Sequence, residues 1–224
     1  LNEAIGDKAQ LFYSKGYNAT NTISKIDVTN RTNTPISDNI QKKDIRSDSI
    51  EERLLQDAVE TAKKADKVIV FAGLPDIYES EGFDRNSIDL PESHNRVIKA
   101  VAEVNPEVVV VLSNGAPVAM PWIDEVKGVL ESYLGGQAWS TAIADILFGK
   151  VNPSGKLAES FPKRIEDVPS TVNFPGGTKS VSYAESIYIG YRYYDKVNTD
   201  LLFPFGFGLS YTTFKYSDLK VSTP

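Results

Sequence analysis

Two apolar runs, Lys67-Val-Ile-Val-Phe-Ala72 and Val108-Val-Val-Val-Leu112, constrain the fold more than any other part of the sequence. Runs this short and this rich in β-branched residues have the length of a strand. Lacking polar alternation, they must be buried on both faces. Between them lies a helix pattern in which Val97, Ile98, Val101 and Val104 recur at helical spacing until Asn105-Pro106 stops it. An earlier helix pattern precedes the first run. Ser49-Ile-Glu-Glu52 reads as a capping box, Ile50, Leu54, Leu55, Ala58, Val59 and Ala62 form the apolar face, and Lys63 and Lys64 suit a C-terminus. Helix, strand, loop, helix, strand is the grammar of a parallel sheet with right-handed crossovers. Residues 128–133 are predicted to add a third short strand, and 138–148 a helix stopped by Gly149. From Val151 onward Gly, Pro and aromatics are dense and helical periodicity is weak, which predicts loop and short strand. The polar run 29–48, punctuated by Pro35, is predicted to be an exposed loop.

The first strand runs into residues 73–91, where Asp76, Glu79, Glu81, Asp84 and Arg85 crowd together beside Gly73 and Gly82. Ligands of open α/β sheets sit at the carboxyl ends of parallel strands. A carboxylate-rich loop placed there is a candidate for general acid/base work, and a merely solvated acidic loop is the competing reading. Residues 113–117, Ser-Asn-Gly-Ala-Pro, follow the second strand and fall on the same edge.

Composition removes several function classes. A net charge of −6 argues against nucleic acid, whose binders carry a basic face. No apolar run approaches the ~18 residues of a membrane-spanning helix. With no cysteine, disulfides and thiolate metal sites are excluded. With one histidine, His94, neither a multi-histidine zinc site nor a Ser-His-Asp triad is easy to build, so no metal or cofactor is expected. A nucleotide-binding Rossmann domain fails because the loop after the first strand lacks G-x-G-x-x-G and is acidic. Asn18-Ala-Thr20 and Asn30-Arg-Thr32 match the glycosylation acceptor pattern, a short match with little weight. Leu1-Asn-Glu-Ala4 shows neither an initiator Met nor a signal peptide and reads as the middle of a longer protein. The compartment stays open between cytoplasmic and secreted.

Five stretches in one order carry a family resemblance: GLPDIYESEGFDRNSIDLP, VVVLSNGAPVAMPW, YLGGQAWSTAIADILFGKVNPSGKL, YIGYRYYD and LFPFGFGLSYTTF. Together they resemble the C-terminal half of a glycoside hydrolase family 3 enzyme of the β-glucosidase type. The resemblance implies an α/β sandwich, with a mostly parallel sheet and helices on both faces, that docks on a barrel domain and completes its active site. It also implies a division into an N-terminal segment (1–48), a sandwich core (49–164) and an aromatic-rich segment (165–224) leading toward a fibronectin-like domain. In the family the hydrolysis of the β-linked glycoside is retaining. The nucleophilic Asp comes from the barrel in a motif resembling S-D-W, and the acid/base Glu comes from the loop matching Glu79-Ser-Glu81-Gly-Phe-Asp-Arg85. No S-D-W occurs in these 224 residues, so the chain alone is expected to be inactive.

More divergent members keep the glutamate four positions before the arginine, as in E-G-x-D-R, which favours Glu81 as the acid/base, with Glu79 as second choice. Glu79 would otherwise be a structural carboxylate pairing with Arg85 or capping a turn. Asp84 and Arg85 are expected to fix the loop. Trp122 and Trp139 are expected to be core residues rather than sugar platforms, and His94 to take a surface or capping role. Lys156-Leu-Ala-Glu-Ser-Phe161 departs from the family's K-L-P-x-T-F, and Tyr183-Ala-Glu-Ser-Ile-Tyr188 lacks a glycine often seen after the glutamate. Neither departure is expected to touch the acid/base loop. Sugar, linkage and substrate-binding residues stay open. The alternative is a non-catalytic carbohydrate-binding or scaffolding domain of the same fold.

Overall fold

The computed structural model describes residues 1–18, 45–82 and 84–222. The expected loop at 29–48 lies outside them except for its last residues, which are helical, and the acceptor patterns at Asn18 and Asn30 lie wholly or partly outside. The two apolar runs form parallel neighbours, β1 (Val68–Gly73) and β2 (Val108–Ser113), in register from Val68 opposite Val108 to Gly73 opposite Ser113. The third strand, β3 (Gly128–Glu131), lies parallel on the other side of β2, giving the order β1-β2-β3. The chain passes between the first two through α3 (Glu92–Val104), after a short α1 (Asn2–Ile5) and a long α2 (Ile45–Ala62).

Strand alternation sends Val70 and Ala72 to one face of the sheet, with Val108, Val110 and Leu112. There they join Val97, Ile98 and Val101 of α3 and Ala58 and Ala62 of α2 in one buried cluster. The other face receives α4 (Trp139–Leu147), whose first residue meets Phe71 with ring centroids 6.2 Å apart. Asn105, the stop signal read from the sequence, is itself a buried joint. Its amide donates to the carbonyls of Ala62 and Ala65 at 3.0 and 2.7 Å, and its Oδ1 accepts Glu107 N at 2.9 Å. One side chain thus closes the end of α2 and starts β2. Trp122 is wholly buried, with Nε1 donating to Asn95 Oδ1 at 2.8 Å.

Three expectations need correction. α2 starts at Ile45, so Ser49 lies inside the helix and not at its N-cap. The aromatic segment is not all loop and strand: Tyr191–Val197 is a helix, α5, ended by Asn198 in the left-handed conformation that asparagine tolerates. Its stability comes from tertiary contact, since Tyr191 stacks on Phe205 at 4.9 Å. His94 is neither on the surface nor a cap. It is 3% exposed on the inner face of α3, and its ring lies 3.7 Å from that of Tyr17. Burial holds its pKa down to about 4, with a backbone hydrogen bond at Gly73 pulling the other way. Tyr17 in turn donates to Phe71 O at 2.6 Å, fastening the N-terminal segment to β1.

Candidate active site

The carboxyl ends of β1, β2 and β3 lie side by side, and the loops that leave them share one edge. At the root of the first loop the backbones of β1 and β2 pinch together: a Cβ at Gly73 would lie 2.0 Å from Ser113 O, so only glycine fits. Tyr78 N and Glu79 N then turn back onto Pro75 O at 2.7 and 3.2 Å. At the far end, Ala119 N donates to Ile88 O at 2.8 Å and Asp89 forms a parallel bridge with Ala119. The acidic stretch is therefore held at both ends by the strand edge it crosses.

Inside it the two glutamates stand in opposite circumstances. Glu79 is drawn inward, with one-fifth of its side chain exposed. Its Oε2 accepts Gly115 N at 2.6 Å, and its Oε1 lies 3.8 Å from Arg85 Nη1. Arg85 is similarly enclosed and reaches the Pro117 carbonyl at 3.5 Å. Burial lowers the Arg85 pKa, while Glu79, Glu159 and Asp89 favour its charge. Glu81 is exposed. Among the described residues no hydrogen bond or ion pair engages its carboxylate. It precedes Gly82, whose φ of +100° belongs to glycine and lets the chain reverse there. Asp84 is also exposed, and among the described residues no hydrogen bond or ion pair holds its side chain.

Four further residues at this edge carry little or no local signal in the sequence. Asn114 is wholly buried, and its Nδ2 donates to Ala116 O at 3.0 Å and Glu131 Oε2 at 3.2 Å. Glu131 ends β3 with its carboxyl pushed up to about 7, chiefly by burial, with Glu159 and Glu79 adding to the rise. Tyr133 turns into the left-handed region at φ 48°, which is uncommon for a residue with a Cβ. Glu159 is raised by burial and by Glu79 and lowered by Arg85. The departure at 156–161 therefore does reach the field of the acidic loop. The only advance hint for Glu131 was a carboxylate interrupting an apolar strand. An open cavity of about 980 Å³ begins beside Arg85 and Glu159 and extends past Tyr183, Tyr191 and Phe205. Among the described residues no His, Asp and Glu side chains gather as a metal site, and no helix is long and apolar enough to cross a membrane.

The profile of the Glycosyl hydrolase family 3 C-terminal domain matches residues 4–211. The chain belongs to this family. It is 51% identical over 221 residues to the thermostable beta-glucosidase B of Acetivibrio thermocellus, covering 99% of this chain and 26% of that protein. The beta-glucosidase crystal structure from Bifidobacterium adolescentis superposes with a TM-score of 0.70 at 53% identity, over 72% of this chain and 24% of that one. A beta-glucosidase from Kluyveromyces marxianus in complex with glucose gives 0.72 at 41% identity, over 77% and 21%. The chain thus spans about a quarter of the length of the relatives it matches.

Proposed function

We propose that this family 3 domain supplies the general acid/base of a retaining β-glucosidase, that the group is Glu81, and that a barrel domain supplies the nucleophilic Asp. The substrate class follows the beta-glucosidases it resembles. One observation carries the choice of residue. Glu79 already commits both carboxylate oxygens to Gly115 N and Arg85, whereas Glu81, on the same loop, is exposed and its oxygens are unengaged among the described residues.

A retaining glycosidase needs two carboxyl groups about 5–5.5 Å apart across the scissile bond. One attacks the anomeric carbon. The other protonates the departing oxygen and then takes a proton from the water that releases the sugar. In this reading Glu81 performs both proton transfers, while Arg85 and Glu79 keep the loop in place. The barrel seats on the apolar and aromatic surface that this domain exposes, where Tyr183 and Ile189 border the cavity beside Arg85.

The test is Glu81→Ala in the full-length protein that carries this domain. Hydrolysis of glucosides with poor leaving groups should slow by at least ~10²-fold. An activated aryl glucoside should still form the glycosyl-enzyme, and azide should release it as a glycosyl azide. If Glu79→Ala gives this pattern and Glu81→Ala does not, the acid/base is Glu79. If neither variant alters turnover, the domain is a binding or scaffolding module. The 224-residue chain by itself should hydrolyse no aryl β-glucoside, and turnover there would overturn the two-domain reading.

A further inference from the structure

Behind the acidic loop the three strand ends are joined by one continuous polar chain, and its root is Glu131. The left-handed turn at Tyr133 brings that residue's backbone N–H onto Glu131 Oε1 at 2.9 Å. The other oxygen, Oε2, accepts Asn114 Nδ2 at 3.2 Å. The same Nδ2 reaches Ala116 O at 3.0 Å and closes the Asn114–Ala116 turn. The amide in the middle of that turn, Gly115 N, donates to Glu79 Oε2 at 2.6 Å, and Glu79 faces Arg85. The central position is tight: a Cβ there would come within 3.1 Å of Leu134 and 3.2 Å of Glu79, so one of those side chains would have to give way. We propose that Glu131 is a positioning residue for the acidic loop, bracing the Asn114–Ala116 turn whose central amide holds Glu79 and, through it, Arg85.

The brace depends on charge. As a carboxylate Glu131 accepts from both donors at once. Once protonated, its hydroxyl oxygen is a much weaker acceptor, and the bond it receives from Tyr133 N or Asn114 Nδ2 weakens. Asn114 Oδ1 is buried with no hydrogen-bond partner, so it is the acceptor at hand once the amide turns over. That rotation takes Nδ2 away from Ala116 O and loosens the turn. The ionisable groups that act on Glu131 are Glu159 and Glu79, both disfavouring its charge. The Tyr133 phenol stands on its own segment, and Arg85 acts on Glu159 and Glu79. Burial is the larger cause and, together with them, brings the changeover near neutrality. The turn is therefore tight above that pH and slack below it.

The link to catalysis rests on the acidic loop being catalytic, as proposed above, but the coupling between Glu131 and Gly115 does not. It is read by NMR on the 224-residue chain. The Glu131 carboxyl carbon should titrate near pH 7, and the Gly115 amide signal should move with the same midpoint. Glu131→Gln should remove that inflection at Gly115. Asn114→Ala should uncouple the two, leaving Glu131 titrating while Gly115 no longer follows. A Gly115 signal with no inflection near neutrality, or one that persists in Glu131→Gln, overturns the proposal. Should both variants fail to fold, the wild-type titration still decides, because midpoints that do not coincide overturn it. Azide rescue identifies the acid/base separately, so either proposal can fail without the other.

Discussion

In residues 49–147 most of the large apolar side chains face inward. Ile98, Val108, Val110, Leu112 and Trp122 are all 0% exposed. In residues 151–222 most of them face out: Val172, Tyr183, Tyr216 and Leu219 are between 87% and 93% exposed, and Leu209 is 77% exposed. The second region is still ordered where it touches itself. Phe161 N donates to Phe203 O at 2.8 Å, and Phe203 stacks on Phe207 at 4.8 Å. The first region supplies most of the buried core, to which the second adds Phe161, whereas the rest of the second holds a few clasps and presents an apolar surface of the kind that marks an interaction site. Since the relatives are about four times longer, the proposed cover is the rest of the protein.

The largest expected effect tests the closed region. Trp122→Ala leaves a cavity and an unpaired Asn95, and should cost about 3–5 kcal/mol in a urea unfolding curve. A loss as small as that of a surface change would remove the contrast between the regions.

Next comes pH, where two buried groups of the first region oppose each other. His94 stays neutral in the fold down to about pH 4. Its contribution is full above the unfolded value of 6.5 and is lost as pH falls through about 4. Glu131 does the reverse: the folded state keeps its proton when the unfolded chain has released it near 4.5, so stability falls as pH rises toward about 7. Each effect is worth up to ~3 kcal/mol. The urea midpoint should therefore vary little between pH 4.5 and 6.5, fall with rising pH in His94→Gln, and rise with pH in Glu131→Gln. Variants that keep a flat profile would show that neither group is buried as described.

Smaller again is the effect at the acidic loop. Glu79→Gln weakens the bonds from Gly115 N and Arg85 and should cost ~1–3 kcal/mol. Glu81→Gln should change stability by less than ~0.5 kcal/mol. Equal costs would mean that the two glutamates do not divide their work.

The smallest effect on stability is predicted for the open region. Tyr216→Ser and Tyr183→Ser should stay within ~0.5 kcal/mol of the parent, yet Tyr183→Ser should weaken binding to a separately made remainder of the protein, read by calorimetry. A stability loss at either position would mean that its ring is already packed within this domain.

Local signals carried the fold a long way. Hydrophobic period located β1, β2, α3 and α4 to within a residue or so at each end, because strands buried on both faces and amphipathic helices write their environment into neighbouring residues. The edge on which the acidic loop sits followed from the same grammar. α5 escaped because its aromatic-rich stretch has weak helical periodicity, and it is supported by Phe205 from further along the chain. His94 escaped because the ring that covers it comes from Tyr17.

The sequence by itself determined the order of strands and helices, the strand-end position of the acidic loop and the reversal at Gly82, since each is written in short stretches of the chain; that position 73 admits only glycine was decided by Ser113 on the neighbouring strand. Only the tertiary structure decided which carboxylates are held and which are open. Glu79 is engaged by an amide from the β2 loop, Glu131 by an asparagine from that same loop, and Glu159 reaches their field from beyond α4. A carboxylate's charge and freedom depend on the dielectric and donors within a few ångströms, and chain folding assembles those from segments that no local window contains.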